Sequence, residues 1–126
     1  TKLLYVTKVI DGNSSQFTKG TPIDMVYEKM DAYINGDGAE RNKKKAAEYF
    51  LTTSRENMQD LKIRAMIKDA ITHGFIQAKS DGYFHDEFAG VRMGKRPLEV
   101  LEFMKNPEND ETLTHYLDKI EPIWNE

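Results

Sequence analysis

The segment from residue 74 to residue 104 constrains the fold more than any other part of the chain. Two apolar runs, residues 75–78 and 83–88, flank the four residues Lys79-Ser80-Asp81-Gly82. An Asp-Gly pair between apolar runs is a strong signal for a β-hairpin, because glycine readily adopts positive φ. A helical pattern follows at Pro97–Lys105 and is closed by Asn106-Pro107. An antiparallel hairpin among helices indicates an α+β fold.

Other helical patterns fill much of the chain. Thr21 as N-cap and Pro22 at the first helical position predict the start of one helix. A longer helix runs from about Asn57 to His73, after a Ser54 N-cap. Its apolar residues cover more than half of the helix circumference, which predicts the central, most buried helix. The remaining predicted helices are Ala39–Thr52 and Asp110–Glu121.

Residues 2–10 are rich in β-branched and aromatic side chains and predict a strand. Residues 16–19 are expected to return as a second strand or to lie extended, and a further short strand is predicted around Val91–Met93. The predicted fold therefore has about five helices and a small antiparallel sheet, formed by the N-terminal strand and the 75–88 hairpin. The 126 residues fit one domain (1–126). Its predicted parts are an N-terminal strand–helix part, 1–56, and a C-terminal helix–hairpin–helix part, 57–126.

Composition narrows the function classes. The chain has no cysteine, so disulfides, thiolate zinc sites and cysteine catalysis are excluded. His73, His85 and His115 have no ligand spacing, and no nucleophile–base spacing occurs. We therefore expect no catalytic residues, no metal and no cofactor, and we expect the protein not to be an enzyme. No apolar run is long enough to span a membrane and residues 1–20 lack a signal-peptide core, so a cytoplasmic location and no membrane partner are expected.

The loop from Gly90 to Arg96 invites comparison with phosphate-binding loops. Those loops need four residues between the glycines and a Ser or Thr after the Lys. Here three residues separate Gly90 from Gly94, and Arg96 follows Lys95, so nucleotide hydrolysis is not expected. The loop can still bind a phosphate through Arg92, Lys95, Arg96 and the amides at the helix start near Pro97–Glu99. The alternative is a basic loop that is merely solvated.

Charge is unevenly distributed along the chain, although the net charge is only −3. Residues 41–68 contain eight basic and three acidic residues, whereas residues 99–126 contain two basic and eight acidic residues. Lys43, Lys44 and Lys45 lie at the start of a predicted helix, where positive charge opposes the helix dipole. The basic half is suited to nucleic acid. The two halves are equally suited to packing against each other or against a partner protein.

Residues 74–121 resemble the small C-terminal domain of RecA-type recombinases. In that family a helix leads into a Gly-Ile/Leu-Ile-Glu-Lys strand, a turn and an aromatic strand. Gly-Glu-Lys-Ile-Gly, a helix, an Asn-Pro-Glu break and a final helix follow. The counterparts in this chain are Gly74–Ala78, Gly82-Tyr83-Phe84, Gly90–Gly94, Leu98–Lys105, Asn106-Pro107-Glu108 and Leu113–Ile120.

The resemblance implies DNA binding rather than recombination, because the chain has no ATPase core. In the family this domain is an accessory module that binds double-stranded DNA, which implies DNA contact here by Lys79, Arg92, Lys95 and Arg96. The lysine- and glutamate-rich chain as a whole also resembles small proteins of tailed bacteriophages, which implies the host cytoplasm or the virion. We therefore expect a non-catalytic protein that contacts the nucleic-acid backbone. The alternative is a structural or adaptor protein that binds other proteins in a phage-type assembly.

Overall fold

The computed structural model describes residues 2–10, 16–35, 40–87 and 90–126. In the helix that begins at Glu40, the side chains are described from residue 44 onward. Within these ranges the chain forms six α-helices and three short strands. In chain order they are α1 (Lys2–Ile10), α2 (Ile23–Asn35), α3 (Glu40–Ser54), α4 (Met58–Thr72), β1 (Ile76–Ala78), β2 (Phe84–Asp86), β3 (Arg92–Gly94), α5 (Pro97–Lys105) and α6 (Asp110–Trp124). The strands form one antiparallel sheet in the order β1-β2-β3. The predicted α+β class is confirmed.

The predicted N-terminal strand is wrong, because residues 2–10 form the helix α1. Six consecutive residues of α1, from Leu4 to Val9, are buried, and the helix packs mainly against α4 and α3. A helix satisfies its backbone hydrogen bonds internally, so it can be buried on nearly all sides without a strand partner. The β-branched residues that suggested a strand carry only a weak preference, which packing overrides.

The stretch before α2 does not join the sheet. The backbone N–H of Lys19 instead donates a hydrogen bond to the carbonyl of Trp124 at 2.6 Å. The Thr21 hydroxyl accepts a hydrogen bond from the N–H of Thr18 at 2.9 Å, and α2 begins at Ile23, one residue later than predicted. This stretch therefore ties the end of α6 to the start of α2.

Helix α4 is the central helix, as predicted. Its N-cap is Asn57 rather than Ser54, and the Asn57 side chain accepts a hydrogen bond from the N–H of Asp60 at 2.8 Å. The Ser54 hydroxyl instead donates to the carbonyl of Phe50 inside α3. Buried residues of α4 form the middle of a core cluster to which α1, β1, β3, α5 and α6 also contribute.

The hairpin packs on α4. Ile76 of β1 is buried in the same core cluster as Leu61 and Ile67 of α4, while Phe75 and Ile71 are partly buried against it. The register pairs Ile76 with Asp86 and Ala78 with Phe84. The hairpin therefore buries an apolar side chain of β1 against the central helix.

Two buried polar contacts connect elements that are distant in sequence. The ammonium of Lys8 in α1 lies 2.8 Å from the carboxylate of Asp69 in α4, and the Asp69 carboxylate also accepts a hydrogen bond from the Trp124 indole at 2.6 Å. The Tyr116 hydroxyl donates to the buried Asp86 carboxylate at 2.6 Å. Each contact satisfies polar groups that would otherwise destabilise the interior.

Candidate functional site

The turn of the hairpin places one lysine beside one tyrosine. The N–H of Lys79 donates to the carbonyl of Tyr83 at 2.9 Å, and the N–H of Gly82 donates to the carbonyl of Lys79 at 3.0 Å. Gly82 has φ of 85°, a conformation that favours glycine. The Asp81 side chain accepts a hydrogen bond from the N–H of Tyr83 at 2.9 Å and completes the turn.

The pairing of β2 with β3 brings two further cations to the same tyrosine. An irregularity in this ladder accompanies the pairing of His85 with Arg92. The Arg92 guanidinium carbon lies 4.9 Å from the centre of the Tyr83 ring, and the Lys95 ammonium lies 5.2 Å from it. Both distances fall within the range of cation–π attraction. We call Lys79, Tyr83, Arg92 and Lys95 the Tyr83 cluster.

One carboxylate orients this cluster. An oxygen of Asp81 lies 3.1 Å from Nε of Arg92 and 2.9 Å from Nε2 of His85. The backbone hydrogen bond from Tyr83, followed by the hydrogen bond from His85, holds the pKa of Asp81 below its usual value. Asp81 is therefore ionised at neutral pH and positions Arg92. The Lys79 ammonium contacts only the neutral amide of Gln77, at 3.1 Å, among the described residues.

The basic loop continues into the first turn of α5. Gly94 has φ of 152°, and a Cβ placed on it would lie 2.5 Å from Cβ of Glu99. The Glu99 carboxylate accepts a hydrogen bond from the N–H of Lys95 at 2.7 Å, while the N–H of Glu99 donates to the carbonyl of Arg96 at 3.0 Å. The Glu99 amide, which the sequence offered to a phosphate, and the neighbouring Lys95 amide are therefore both engaged within the protein, so the side chains of the loop carry its binding capacity.

Arg96 lies apart from the Tyr83 cluster. It lines a cleft of about 320 Å³ between α3, α4 and α5. Two more cations, Arg64 and Lys68, lie one turn apart on α4 and line the same space. We call this space the α3–α5 cleft, and its lining residues are Val9, Tyr49, Arg64, Ile67, Lys68, Arg96, Pro97 and Leu98.

The three predicted lysines of α3 are only partly described. Lys44 and Lys45 are exposed, and the side chain of Lys43 lies outside the described residues. Lys45 precedes Tyr49 by four residues, so the two share one face of α3. Because Tyr49 lines the α3–α5 cleft, Lys45 lies on the helix face that leads toward it.

The structure thus divides the predicted residues into groups. Lys79, Arg92 and Lys95 are brought together by the sheet, whereas Arg96 joins the cleft. Tyr83 was not predicted as a site residue, although an aromatic residue directly after an Asp-Gly turn is a usable signal. The spacing of Arg64 and Lys68 on one helix face was a second signal.

The described part of the chain was also compared with the requirements of a metal site and of a membrane-spanning helix. No group of three or more His, Asp or Glu side chains is arranged there to hold a metal ion. None of the described helices is long and apolar enough to cross a membrane. Comparison with family models, with curated proteins and with solved structures finds no significant match to this chain.

Proposed function

We propose that the protein binds the backbone of nucleic acid, without reading base sequence, through the Tyr83 cluster. The observation that carries this proposal is the placement of Arg92 and Lys95 beside one half-buried aromatic ring, with Lys79 paired to Tyr83 through the backbone across the turn. Phosphate contacts need only cationic side chains at suitable positions on a surface. Asp81 supports the proposal because it fixes the orientation of Arg92 before binding.

The net charge of −3 predicts modest affinity for nucleic acid. Binding through phosphate contacts predicts that this affinity depends strongly on salt. Each neutralised phosphate contributes about −0.9 to the slope of log K against log salt concentration. Three contacts, from the cluster cations Lys79, Arg92 and Lys95, give a slope of roughly −3. Affinity should vary little between sequences of equal length, because no base edge is read.

The test is titration of a labelled duplex at low and moderate salt with wild type and two double variants. Lys79→Gln/Lys95→Gln removes two charges from the cluster and leaves the Asp81–Arg92 contact in place. Lys2→Gln/Lys19→Gln removes two exposed charges outside the cluster and serves as the matched control. We expect the first variant to flatten the salt slope by about two and the control to leave it unchanged. Absence of wild-type binding at low salt would contradict the proposal.

A second candidate function is that of a structural or adaptor protein in a phage-type assembly, and α2 favours it. Ile23 and Tyr27, one turn apart on α2, are 58% and 57% exposed, while the neighbouring Val26 and Met30 are buried. Large apolar side chains exposed together mark protein-binding surfaces. This role places α2, rather than the hairpin, at the functional contact.

Sedimentation velocity over a range of concentrations tests the second candidate. We expect the average sedimentation coefficient to rise with protein concentration as copies of the chain associate. Ile23→Ser/Tyr27→Ser should abolish this rise while leaving duplex binding unchanged. A wild-type protein that stays monomeric at high concentration would count against self-assembly through α2.

A further inference from the structure

The α3–α5 cleft combines an apolar floor with a basic rim. The buried Val9 and Ile67 supply the apolar floor, and the exposed Pro97 and Leu98 add apolar surface at its edge. Tyr49, 43% exposed, is the aromatic lining residue. The volume of about 320 Å³ lies at the lower end of the range, roughly 300–1,000 Å³, in which proteins bind small ligands. A ligand of this cleft therefore has a small apolar body.

The three cations of the cleft differ in how they are compensated. Arg64 forms an ion pair with Glu56 and a hydrogen bond with Tyr49. Burial alone would lower the pKa of Arg64, but these contacts raise it above its usual value, so Arg64 belongs to the framework. Lys68 and Arg96 have no carboxylate within ion-pair distance among the described residues. Two uncompensated cations at the rim favour an anionic group on the ligand.

We propose that the α3–α5 cleft holds one unpaired nucleotide, with its base against Tyr49 and the apolar floor and its phosphate beside Lys68 and Arg96. This inference rests on the proposed function. Arg96 directly follows Lys95 in the chain, so the cleft and the Tyr83 cluster are connected through two consecutive residues.

The consequence is a preference for single strands. A base within a duplex is stacked and paired, so it enters a cleft only after both contacts are broken. A single strand carries no such cost, and stacking of its bases on aromatic side chains is independent of sequence. A free mononucleotide carries the same base and phosphate, so it tests binding in the cleft without the rest of a strand.

The test compares a single-stranded oligonucleotide, a duplex of equal length, adenosine monophosphate and inorganic phosphate. Tyr49→Ala removes the aromatic lining of the cleft, and Leu51→Ala is its control because Leu51 is an exposed residue of the same helix that does not line the cleft. Lys68→Gln removes a rim charge, with Lys19→Gln as its control. Tyr49→Phe retains the ring, so it should retain affinity. The Trp124 fluorescence of each variant verifies that it is folded.

We expect the single strand to bind more tightly than the duplex. Tyr49→Ala should weaken single-strand binding by roughly 5- to 100-fold and leave duplex binding unchanged. Binding of adenosine monophosphate that is lost in Tyr49→Ala, with no strand bound, would support the cleft as a nucleotide site while overturning the proposed function. Equal affinities for strand and duplex, insensitive to Tyr49→Ala and without mononucleotide binding, would overturn this inference and leave the proposed function intact. Binding of inorganic phosphate alone would also overturn it.

Discussion

Removal of the Asp69 carboxylate should destabilise the fold more than any change at the surface. Lys8 and Asp69 are 2.8 Å apart, and their side chains are 0% and 2% exposed. At an effective dielectric constant of about 20, unit charges at this distance attract by about 6 kcal/mol, which is partly offset by the desolvation of both ions. Asp69→Ala removes the attraction and leaves Lys8 desolvated. We expect a loss of about 3–5 kcal/mol in the free energy of unfolding.

Urea denaturation measures this loss directly. Trp124 is the single tryptophan, is fully buried and donates to Asp69, so its fluorescence reports on the same region, with circular dichroism as a second probe. The matched control is Glu121→Ala, which breaks the ion pair of Glu121 with Lys62. That pair also joins α4 to α6 but is partly exposed, so the expected loss is below about 1 kcal/mol.

A double variant separates the two charges from the rest of the environment. Lys8→Met/Asp69→Asn removes both charges and keeps an oxygen acceptor for the Trp124 indole. Because a buried ion pair contributes little relative to neutral groups of similar size, we expect stability within about 2 kcal/mol of wild type. A double variant as unstable as Asp69→Ala, or an Asp69→Ala loss no larger than that of Glu121→Ala, would refute the reasoning.

The pH dependence of Asp69→Ala provides a further check. Burial lowers the pKa of Lys8, whereas the hydrogen bond and charge of Asp69 oppose this shift. Without Asp69 the folded state binds fewer protons than the unfolded state, so the free energy of unfolding should rise with pH up to the unfolded lysine pKa of about 10.4. If the free energy of unfolding of Asp69→Ala did not change between about pH 7 and 10, this would contradict a buried, charged Lys8.

Four further substitutions test the fold by urea denaturation. Ile76→Ala should cost about 2–5 kcal/mol because it leaves a cavity between the hairpin and α4; a loss below about 1 kcal/mol would contradict that packing. Gly94→Ala should cost more than Gly82→Ala, since a Cβ at Gly94 meets Glu99 whereas the space beside Gly82 is open; equal losses would contradict the close approach. Burial, followed by the hydrogen bond with a carboxylate, raises the pKa of Tyr116, so the folded state keeps a proton that the unfolded state loses. Wild-type stability should therefore fall above about pH 10, and Tyr116→Phe should flatten that fall.

Local signals predicted the elements whose structure is decided locally. The Asp-Gly turn before Tyr83 specified the hairpin, and the wide apolar surface of residues 57–73 specified a central helix. The first helix could not be predicted in this way, because its packing against α4 and α3 is not visible in the sequence of residues 2–10. Their composition alone favours a strand.

The part of the candidate site that the sheet brings together could be predicted from the sequence. Lys79, Arg92 and Lys95 lie on a hairpin and its neighbouring strand, so their proximity follows from the turn. The position of Arg96 beside Lys68 and Tyr49 depends on how three helices pack, and periodicity within each helix carries no information about that packing.

The burial of α1 also has a consequence for how the chain folds. The most extensive contacts of α1 are with α4, although α2 and α3 lie between them in the sequence. Closing this long segment costs entropy before any contact compensates for it, whereas α4 and the hairpin are neighbours in the chain. The Lys8 ammonium must also leave water at this step. We therefore expect α1 to dock late, so that Val6→Ala mainly accelerates unfolding while Ile76→Ala slows folding.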